Sequence, residues 1–180
     1  MQSRLTRKLV LGSLFAAMIF VVTYMAKWPI GSNGAIITAG DGIVYTAGIA
    51  MSGPWAAFAA GIGSMLSDIV GGSAIYAPAT FVIKALMGLV VGLALYGRKT
   101  SWIRNLIFMC LASLIMVFGY YAYEFFLYTP HGVQALIDMP ANFIQAAIGV
   151  VIGVPLALVV RRIIPINWLD AFKRQDKINQ

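Results

Sequence analysis

The sequence predicts an all-α integral membrane protein with six transmembrane helices and both termini in the cytoplasm. Of its 180 residues, 61% are hydrophobic and only 11% are charged, which is far from the composition of a soluble domain. A helix needs about 20 apolar residues to cross the hydrocarbon core of a bilayer. Apolar runs of this order, the second of them short, recur six times, at residues 8–27, 40–52, 54–71, 78–97, 104–128 and 141–161.

The basic residues give the orientation of these spans. Eleven of the thirteen Lys and Arg residues lie outside the apolar runs or at their ends, in clusters before the first span, after the fourth and after the sixth: Arg4, Arg7 and Lys8; Arg98, Lys99 and Arg104; and Arg161, Arg162, Lys173, Arg174 and Lys177. If the first cluster is cytoplasmic and the spans alternate, the other two are cytoplasmic as well, as the positive-inside rule requires. Residues 1–162 are therefore expected to form one membrane domain, and residues 163–180 an amphipathic, basic tail on the cytoplasmic side.

Several classes of protein are excluded by the same observations. The net charge of +7 does not indicate a nucleic-acid partner, because the basic residues flank apolar runs and form no continuous soluble face. Cys110 is the single cysteine, so the sequence predicts neither an intramolecular disulfide nor a cysteine-based metal site. The first apolar run lacks a small-x-small cleavage site and further spans follow it, so we interpret it as an uncleaved helix.

The connections between spans differ in character. Gly53-Pro54 separates the short second run from the third, since proline begins helices well and interrupts them badly. Residues 28–39 and 129–140 are predicted as long outer loops. Long loops in a small membrane protein suggest lids over a site, although simple connectors would have the same composition. Trp28 and Asn33 are the expected lid residues of the first loop.

Polar side chains from five helices are expected in the outer third of the membrane. An ionised residue at membrane depth costs about 2.5–3.5 kcal/mol on insertion scales, so each one requires a reason. These residues predict an outward-facing pocket that orients a small polar ligand, with aromatic side chains as its walls. The predicted ligand-binding residues are Asp41, Asp68, Tyr76, Lys84, Tyr121, Glu124, Asn142 and Gln145.

Structural explanations for the same residues remain open. Lys84 could pair with Glu124 or Asp68 and only hold helices together. Asp41 could be only a favourable charge at the start of a helix. A catalytic pair of Asp41 and Asp68 is disfavoured, because Asp41 opens a helix and lacks the Gly-x-Gly-Asp context of intramembrane aspartyl proteases. The sequence shows no Walker loop and no metal-ligand cluster, and we predict a protein that is not an enzyme and holds no cofactor of its own.

Small residues four apart recur in the first span, as Gly12/Ala16 and Ser13/Ala17. Such pairs let helix backbones approach closely. Because these pairs lie near the cytoplasmic end, they could present a flat face to a helix of a partner protein.

The order of motifs resembles a known family. Gly40-Asp41-Gly42-Ile43-Val44-Tyr45 is followed by Gly53-Pro54-Trp55, by Gly61 to Asp68, by Tyr76 to Gly88, and by Pro140-x-Asn142-x-x-Gln145. Over about residues 8–162 the chain resembles the substrate-binding (S) component of an energy-coupling factor (ECF) vitamin transporter. Among these it is most similar to the hydroxymethylpyrimidine/pyridoxine type, which is related to riboflavin-type S components.

This resemblance implies a high-affinity subunit, in a bacterial plasma membrane, that captures a micronutrient from outside. It would dock on a module of one transmembrane T component and two ATP-binding subunits, which use the ATP. In the family, substrate residues come from the loop after span one and the outer ends of spans three to six. An Ala-xxx-Ala motif on the first helix contacts the T component. The matching residues here are Gly12, Ser13, Ala16 and Ala17, with one small residue changed.

The charges of the predicted pocket narrow the ligand class. Three carboxylates against Lys84 favour a neutral or cationic heteroaromatic ring with hydroxymethyl and amino groups over biotin or pantothenate. Hydroxymethylpyrimidine and pyridoxine are the preferred candidates, and riboflavin or another vitamin is an alternative. A self-contained secondary transporter and a purely structural subunit also stay open. The former would need polar groups through the full membrane depth, whereas the inner halves of the spans are apolar.

Overall fold

The computed structural model describes residues 2–30, 35–98, 101–128 and 133–163. These residues form six α-helices and one antiparallel two-stranded sheet, which confirms the predicted helical class. The elements in chain order are α1 (Gln2–Met25), β1 (Lys27–Ile30), β2 (Ala35–Thr38), α2 (Asp41–Ala50), α3 (Gly53–Val70), α4 (Ala77–Leu95), α5 (Trp102–Tyr123) and α6 (Val133–Ile163). A 3-10 turn, Ala74–Tyr76, precedes α4, and a π-helical segment, Glu124–Tyr128, continues α5. Asn33 and the predicted tail beyond Ile163 lie outside the described residues.

Four helices of the described chain are long and apolar enough to cross a membrane. These segments are Leu5–Met25, Ala74–Leu95, Trp102–Phe126 and Ala135–Ile163. Their outer surfaces expose large apolar side chains such as Leu14, Phe118 and Val151. So extensive an apolar surface is unfavourable in water and is typical of contact with lipid.

The short second helix, α2, lies at the centre of the bundle. Nine of its ten residues are buried, and it packs against α4 and α6 and also contacts α1 and α3. The absence of side chains at Gly42 and Gly48 permits this approach. A Cβ atom at Gly42 would lie 2.5 Å from Ile152 Cγ2, and one at Gly48 would lie 2.7 Å from Val91 Cγ1. At about 1.5 Å per residue, α2 is about 15 Å long, which is about half the thickness of the hydrocarbon core of a bilayer.

The connection after α1 is a β-hairpin, so the prediction of a loop at residues 28–39 is wrong in its local structure. Lys27 lies opposite Thr38 and Trp28 lies opposite Ile37 in the antiparallel register. The sequence does contain the relevant signals. Ile36 and Ile37 are β-branched, which favours strands, and Asn-Gly at residues 33–34 is a strong hairpin signal.

The last helix begins earlier than predicted. Proline favours the first turn of a helix, and for that reason the sequence predicts a start beside Pro140. In the structure α6 begins at Val133, and Pro140 and Pro155 both lie inside it. Membrane helices tolerate internal proline because neighbouring groups satisfy the carbonyl that proline frees. Asn142 and Gln145 therefore lie in the third and fourth turns of α6, and the predicted outer loop at residues 129–140 is correspondingly shorter.

Candidate functional site

A cavity of about 260 Å³ lies at the end of the bundle where α1, α3 and α5 end and α4 and α6 begin. Both strands of the hairpin also contribute to it. Its polar lining residues are Thr23, Lys27, Thr38, Ser64, Asp68, Ser73, Tyr76, Thr80, Lys84, Tyr120, Glu124, Asp138, Asn142 and Gln145. At the opposite end of the bundle lie Arg98, just after the end of α4, Arg104 in the first turn of α5, and Arg161 and Arg162 in the last turn of α6.

The floor of the cavity is organised by a buried ion pair. The Lys84 ammonium donates to one carboxylate oxygen of Asp41, and Gln145 Nε2 donates to the other at 2.8 Å. Met116 Sδ lies 3.2 Å from Lys84 Nζ and 3.1 Å from Gln145 Nε2. Asp41 is 1% exposed and is not among the lining residues. It therefore fixes Lys84 and Gln145 from beneath, and Asp41, rather than Asp68 or Glu124, is the partner of Lys84.

Two polar contacts fasten the hairpin above the cavity. Lys27 Nζ on β1 donates to Asp68 Oδ1 at 3.2 Å and to the Ser67 carbonyl at 3.3 Å, at the end of α3. A cation is favourable there because helix C-termini carry partial negative charge. Thr38 N on β2 donates to Gln145 Oε1 at 3.1 Å. The hairpin is thus connected to α3 on one side and to α6 on the other.

Trp28, the predicted lid residue, alternates with Lys27 along β1 and is 51% exposed. Successive side chains of a strand point to opposite faces, so the face that carries Lys27 and Thr38 lines the cavity while Trp28 does not.

One wall of the cavity is acidic. Glu124, the first residue of the π-helical segment, is buried and shares a hydrogen bond with Tyr76. The Asp138 carboxyl on α6 is near enough to act on Glu124 electrostatically. Asp138, Asn142 and Gln145 follow the i, i+4, i+7 spacing of one helix face. Sequence reasoning missed Asp138 because it was assigned to a loop, although this spacing was the available signal.

The aromatic lining comes from Tyr76 and Tyr120. The Tyr120 hydroxyl lies 2.9 Å from Thr80 Oγ1, and Lys84 Nζ lies 5.7 Å from the centre of the Tyr120 ring, a cation–π distance. Tyr121, the residue chosen from the sequence, is not among the lining residues and stacks on Phe125 with ring centroids 5.7 Å apart. Adjacent residues of a helix point about 100° apart, so only one of the two tyrosines can face the cavity.

Some buried groups that line the cavity have no hydrogen-bond partner within the described part of the chain, and a hydroxyl and an amide nitrogen are among them. The hydroxyl oxygen is that of Ser64 and the nitrogen is that of the Asn142 side chain, on residues that are 1% and 9% exposed. Buried polar groups are nearly always hydrogen-bonded, since an unsatisfied one costs about 1–3 kcal/mol. A hydroxyl and an amide donor are thus available to a small molecule inside the cavity. Among the described residues, no group of three His, Cys, Asp or Glu side chains is arranged to hold a metal ion.

The structure brings most of the predicted ligand-binding residues together. Asp68, Tyr76, Lys84, Glu124, Asn142 and Gln145 line the cavity, Asp41 lies one layer below, and Tyr121 lies elsewhere. Thr38, Ser64, Tyr120 and Asp138 line it as well, although they were not predicted as ligand-binding residues.

A second, apolar concavity, here called the α1/α3 groove, lies between those two helices. All four predicted T-component contact residues line it: Gly12, Ser13, Ala16 and Ala17. Trp55, Phe58 and Ile62 of α3 form the facing side, and the groove volume is about 550 Å³.

The family is given by a comparison with models of known protein families. Residues 4–162 match the family model of the ECF-type riboflavin transporter S component. An uncharacterized protein in the gap 3'region of Pyrococcus woesei is 31% identical over 79% of this chain and 93% of its own length. The thiamine precursor transporter HmpT of Lactococcus lactis subsp. cremoris (strain MG1363) is 28% identical over 90% of this chain and 92% of its own.

A solved structure shares the fold. The crystal structure of FolT bound with folic acid superimposes with a TM-score of 0.70 at 15% identity, covering 84% of this chain and 93% of FolT. The apolar helices and the family match together indicate a multi-pass membrane protein. The chain belongs to the family of ECF-type riboflavin transporter S components.

Proposed function

We propose that this chain is the high-affinity substrate-capture subunit of an ECF-type, ATP-driven micronutrient importer. The observation that carries the proposal is the cavity of about 260 Å³ in which the Ser64 hydroxyl and the Asn142 amide nitrogen lie buried without partners among the described residues. Binding sites for small molecules combine an enclosed shape with a few convergent polar groups, as this cavity does.

The topology that goes with this proposal has six spans, both termini in the cytoplasm and the cavity open to the outside of a bacterial plasma membrane. The cavity lies at one end of the bundle. Arg98, Arg104 and Arg161 lie at the other end, where α4 and α6 end and α5 begins. Arginine is retained on the cytoplasmic side, which supports this orientation. In this arrangement α2 runs from the cavity end toward the cytoplasmic side and α3 returns to the cavity end, so they are the second and third spans.

The proposed ligand is a small B-vitamin-like heteroaromatic compound, with hydroxymethylpyrimidine or pyridoxine preferred. Two lysines and three carboxylates line the cavity, and Asp41 adds a fourth carboxylate beneath it. This excess of acidic groups favours a neutral or cationic ligand. The similarity to HmpT, a thiamine precursor transporter, supports a pyrimidine. Riboflavin or another vitamin is the alternative, and the family name includes riboflavin.

The proposed partners are one transmembrane T component and two ATP-binding subunits, and ATP would be used by those subunits. The α1/α3 groove supports this assembly because it exposes small residues on α1 beside Trp55 and Phe58 of α3. Small residues permit close approach of a helix from a neighbouring membrane protein. Gly12, Ser13, Ala16 and Ala17 are the proposed contact residues.

Thermal unfolding of the detergent-solubilised protein against a panel of B-vitamin compounds tests the proposal. A ligand that binds only the folded state at 100 times its dissociation constant stabilises that state by about 2.7 kcal/mol. We expect one compound to raise the melting temperature by several degrees. Absence of stabilisation across the panel contradicts substrate capture.

Expression with and without an ATPase module then tests the transport model. We expect co-purification with a T component and two ATPases, and uptake only in their presence. Uptake by the chain alone would support a self-contained secondary transporter instead.

A further inference from the structure

The charged groups around the cavity divide into two sets. Lys84 is ion-paired with Asp41 beneath the floor, and Lys27 is ion-paired with Asp68 at the hairpin. Glu124 and Asp138 lie on the remaining wall, and both are buried. Each lysine is thus paired with an aspartate, and two of the three carboxylates that line the cavity lie on the wall that α6 and the π-helical segment share.

A hydrogen-bond donor lies beside this acidic wall. Asn142 follows Asp138 by four residues, so the two side chains are neighbours on the same face of α6. The Asn142 side-chain nitrogen is buried and has no hydrogen-bond partner among the described residues. Carboxylates accept hydrogen bonds, whereas an amide nitrogen donates them. The wall therefore presents acceptors and a donor next to each other.

This arrangement of hydrogen-bond acceptors and a donor is complementary to one edge of an aromatic ring of a particular class. An amino-substituted nitrogen heterocycle presents an N–H donor on its exocyclic amino group beside a ring nitrogen, which can accept a hydrogen bond or carry a proton. The amino group suits a carboxylate, and the ring nitrogen suits either the Asn142 donor or, when protonated, the second carboxylate. In an analogue with a carbonyl oxygen in place of the amino group, that oxygen would face a carboxylate. Both groups are hydrogen-bond acceptors, so the contact would be repulsive.

We propose that Asp138 is a specificity-determining residue, which together with Glu124 and Asn142 selects ligands that carry an amino-substituted nitrogen heterocycle. The inference rests on the proposed function and deepens it by assigning the edge of the ligand that is recognised. Sites that hydrogen-bond a polar group of the substrate reject analogues lacking that group far more strongly than apolar pockets reject a change of size.

Two probes that differ in one group test this inference. They are 4-amino-5-hydroxymethyl-2-methylpyrimidine and its analogue with a carbonyl oxygen in place of the amino group, with dissociation constants measured by titration calorimetry on the full chain. We expect the wild type to prefer the amino probe by at least about tenfold, and Asp138→Asn to lose most of that preference. Asp68→Asn is the matched control, because Lys27 neutralises that carboxylate away from the acidic wall. It should change both affinities by a similar factor and keep the preference.

The outcomes separate this inference from the proposed function. If Asp138→Asn keeps the wild-type preference, or if the wild type does not prefer the amino probe, the role of Asp138 is wrong. If neither probe binds but another vitamin stabilises the protein, the inference fails and the proposed function stands. If no compound binds, both fail. Should Asp138→Asn not fold, as judged by its melting temperature without ligand, Glu124→Gln provides the same comparison and is expected to lose the preference as well.

Discussion

Lys84 of α4 and Asp41 of α2 form a buried ion pair directly beneath the cavity, and Gln145 of α6 donates to the same carboxylate. This contact joins the central helix to two of the long helices. It also fixes the direction of the Lys84 ammonium, because Lys84 lines the cavity while Asp41 pairs with it from below. The ion pair therefore stabilises the fold, and it also holds the Lys84 ammonium at the surface of the cavity.

Breaking this ion pair from one side should destabilise the fold. Removal of one partner leaves an uncompensated buried charge, at a cost of about 3–5 kcal/mol. We expect Lys84→Met and Asp41→Asn each to lower the melting temperature markedly, and the double variant to be more stable than the sum of the two effects. Lys27→Met is the control, because both side chains of the Lys27–Asp68 pair are 14% exposed, so that breaking it should cost less than breaking the fully buried pair. Additive effects of Lys84→Met and Asp41→Asn would contradict the pairing.

Asn142 should contribute to binding more than to stability. Its side-chain nitrogen lacks a partner in the described structure, so Asn142→Leu removes an unsatisfied buried donor. We expect the melting temperature without ligand to be the same as in the wild type or higher. We also expect the affinity for the stabilising vitamin to fall by about tenfold or more. Ser64→Ala should behave in the same direction. Loss of stability in the absence of ligand would show that these groups serve the fold instead.

Gln145 should control the mobility of the hairpin. Its carbonyl oxygen accepts from Thr38 N and its nitrogen donates to Asp41, so Gln145→Leu disconnects β2 from the floor of the cavity. We expect faster amide hydrogen exchange at residues 35–38 and faster dissociation of the ligand. Asn142→Leu, on the same helix face, leaves the hydrogen bond between Thr38 and Gln145 in place and is the control for the exchange measurement. Equal exchange in wild type and Gln145→Leu would argue against the connection.

The α1/α3 groove should serve assembly without serving ligand capture. A Cβ atom at Gly12 would meet only Trp55, at 3.9 Å, so a larger side chain there is accommodated by this chain but fills the groove. We expect Gly12→Leu to bind the vitamin normally and to lose co-purification with the T component. Leu14→Phe, at an exposed position of α1 that does not line the groove, should retain both. Normal assembly of Gly12→Leu would place the docking surface elsewhere.

The sequence was sufficient to predict the helical class and where most of the polar side chains converge, because charged groups in apolar runs are rare and costly. It was not sufficient to predict which of these polar side chains contact each other. Asp41 precedes a short run, and nothing in its spacing reveals that α2 is central, so its contact with Lys84 depends on packing through Gly42 and Gly48.

The errors at the ends of helices have a different physical origin. Pro140 is a helix-start signal in water, and inside a membrane bundle it is tolerated in mid-helix, which hid Asp138 in a supposed loop. Tyr120 and Tyr121 are chemically identical neighbours, and only the rotation of α5 decides which one faces the cavity.

An experimental structure of the complex with the stabilising vitamin would test the central claim most directly. We expect the heteroaromatic ring inside the cavity, between Tyr120 and the wall of α6, with the Asn142 side-chain nitrogen and the Lys84 ammonium within hydrogen-bond distance of ligand atoms. A ligand bound outside this cavity, or inside it without contact to either residue, would contradict it.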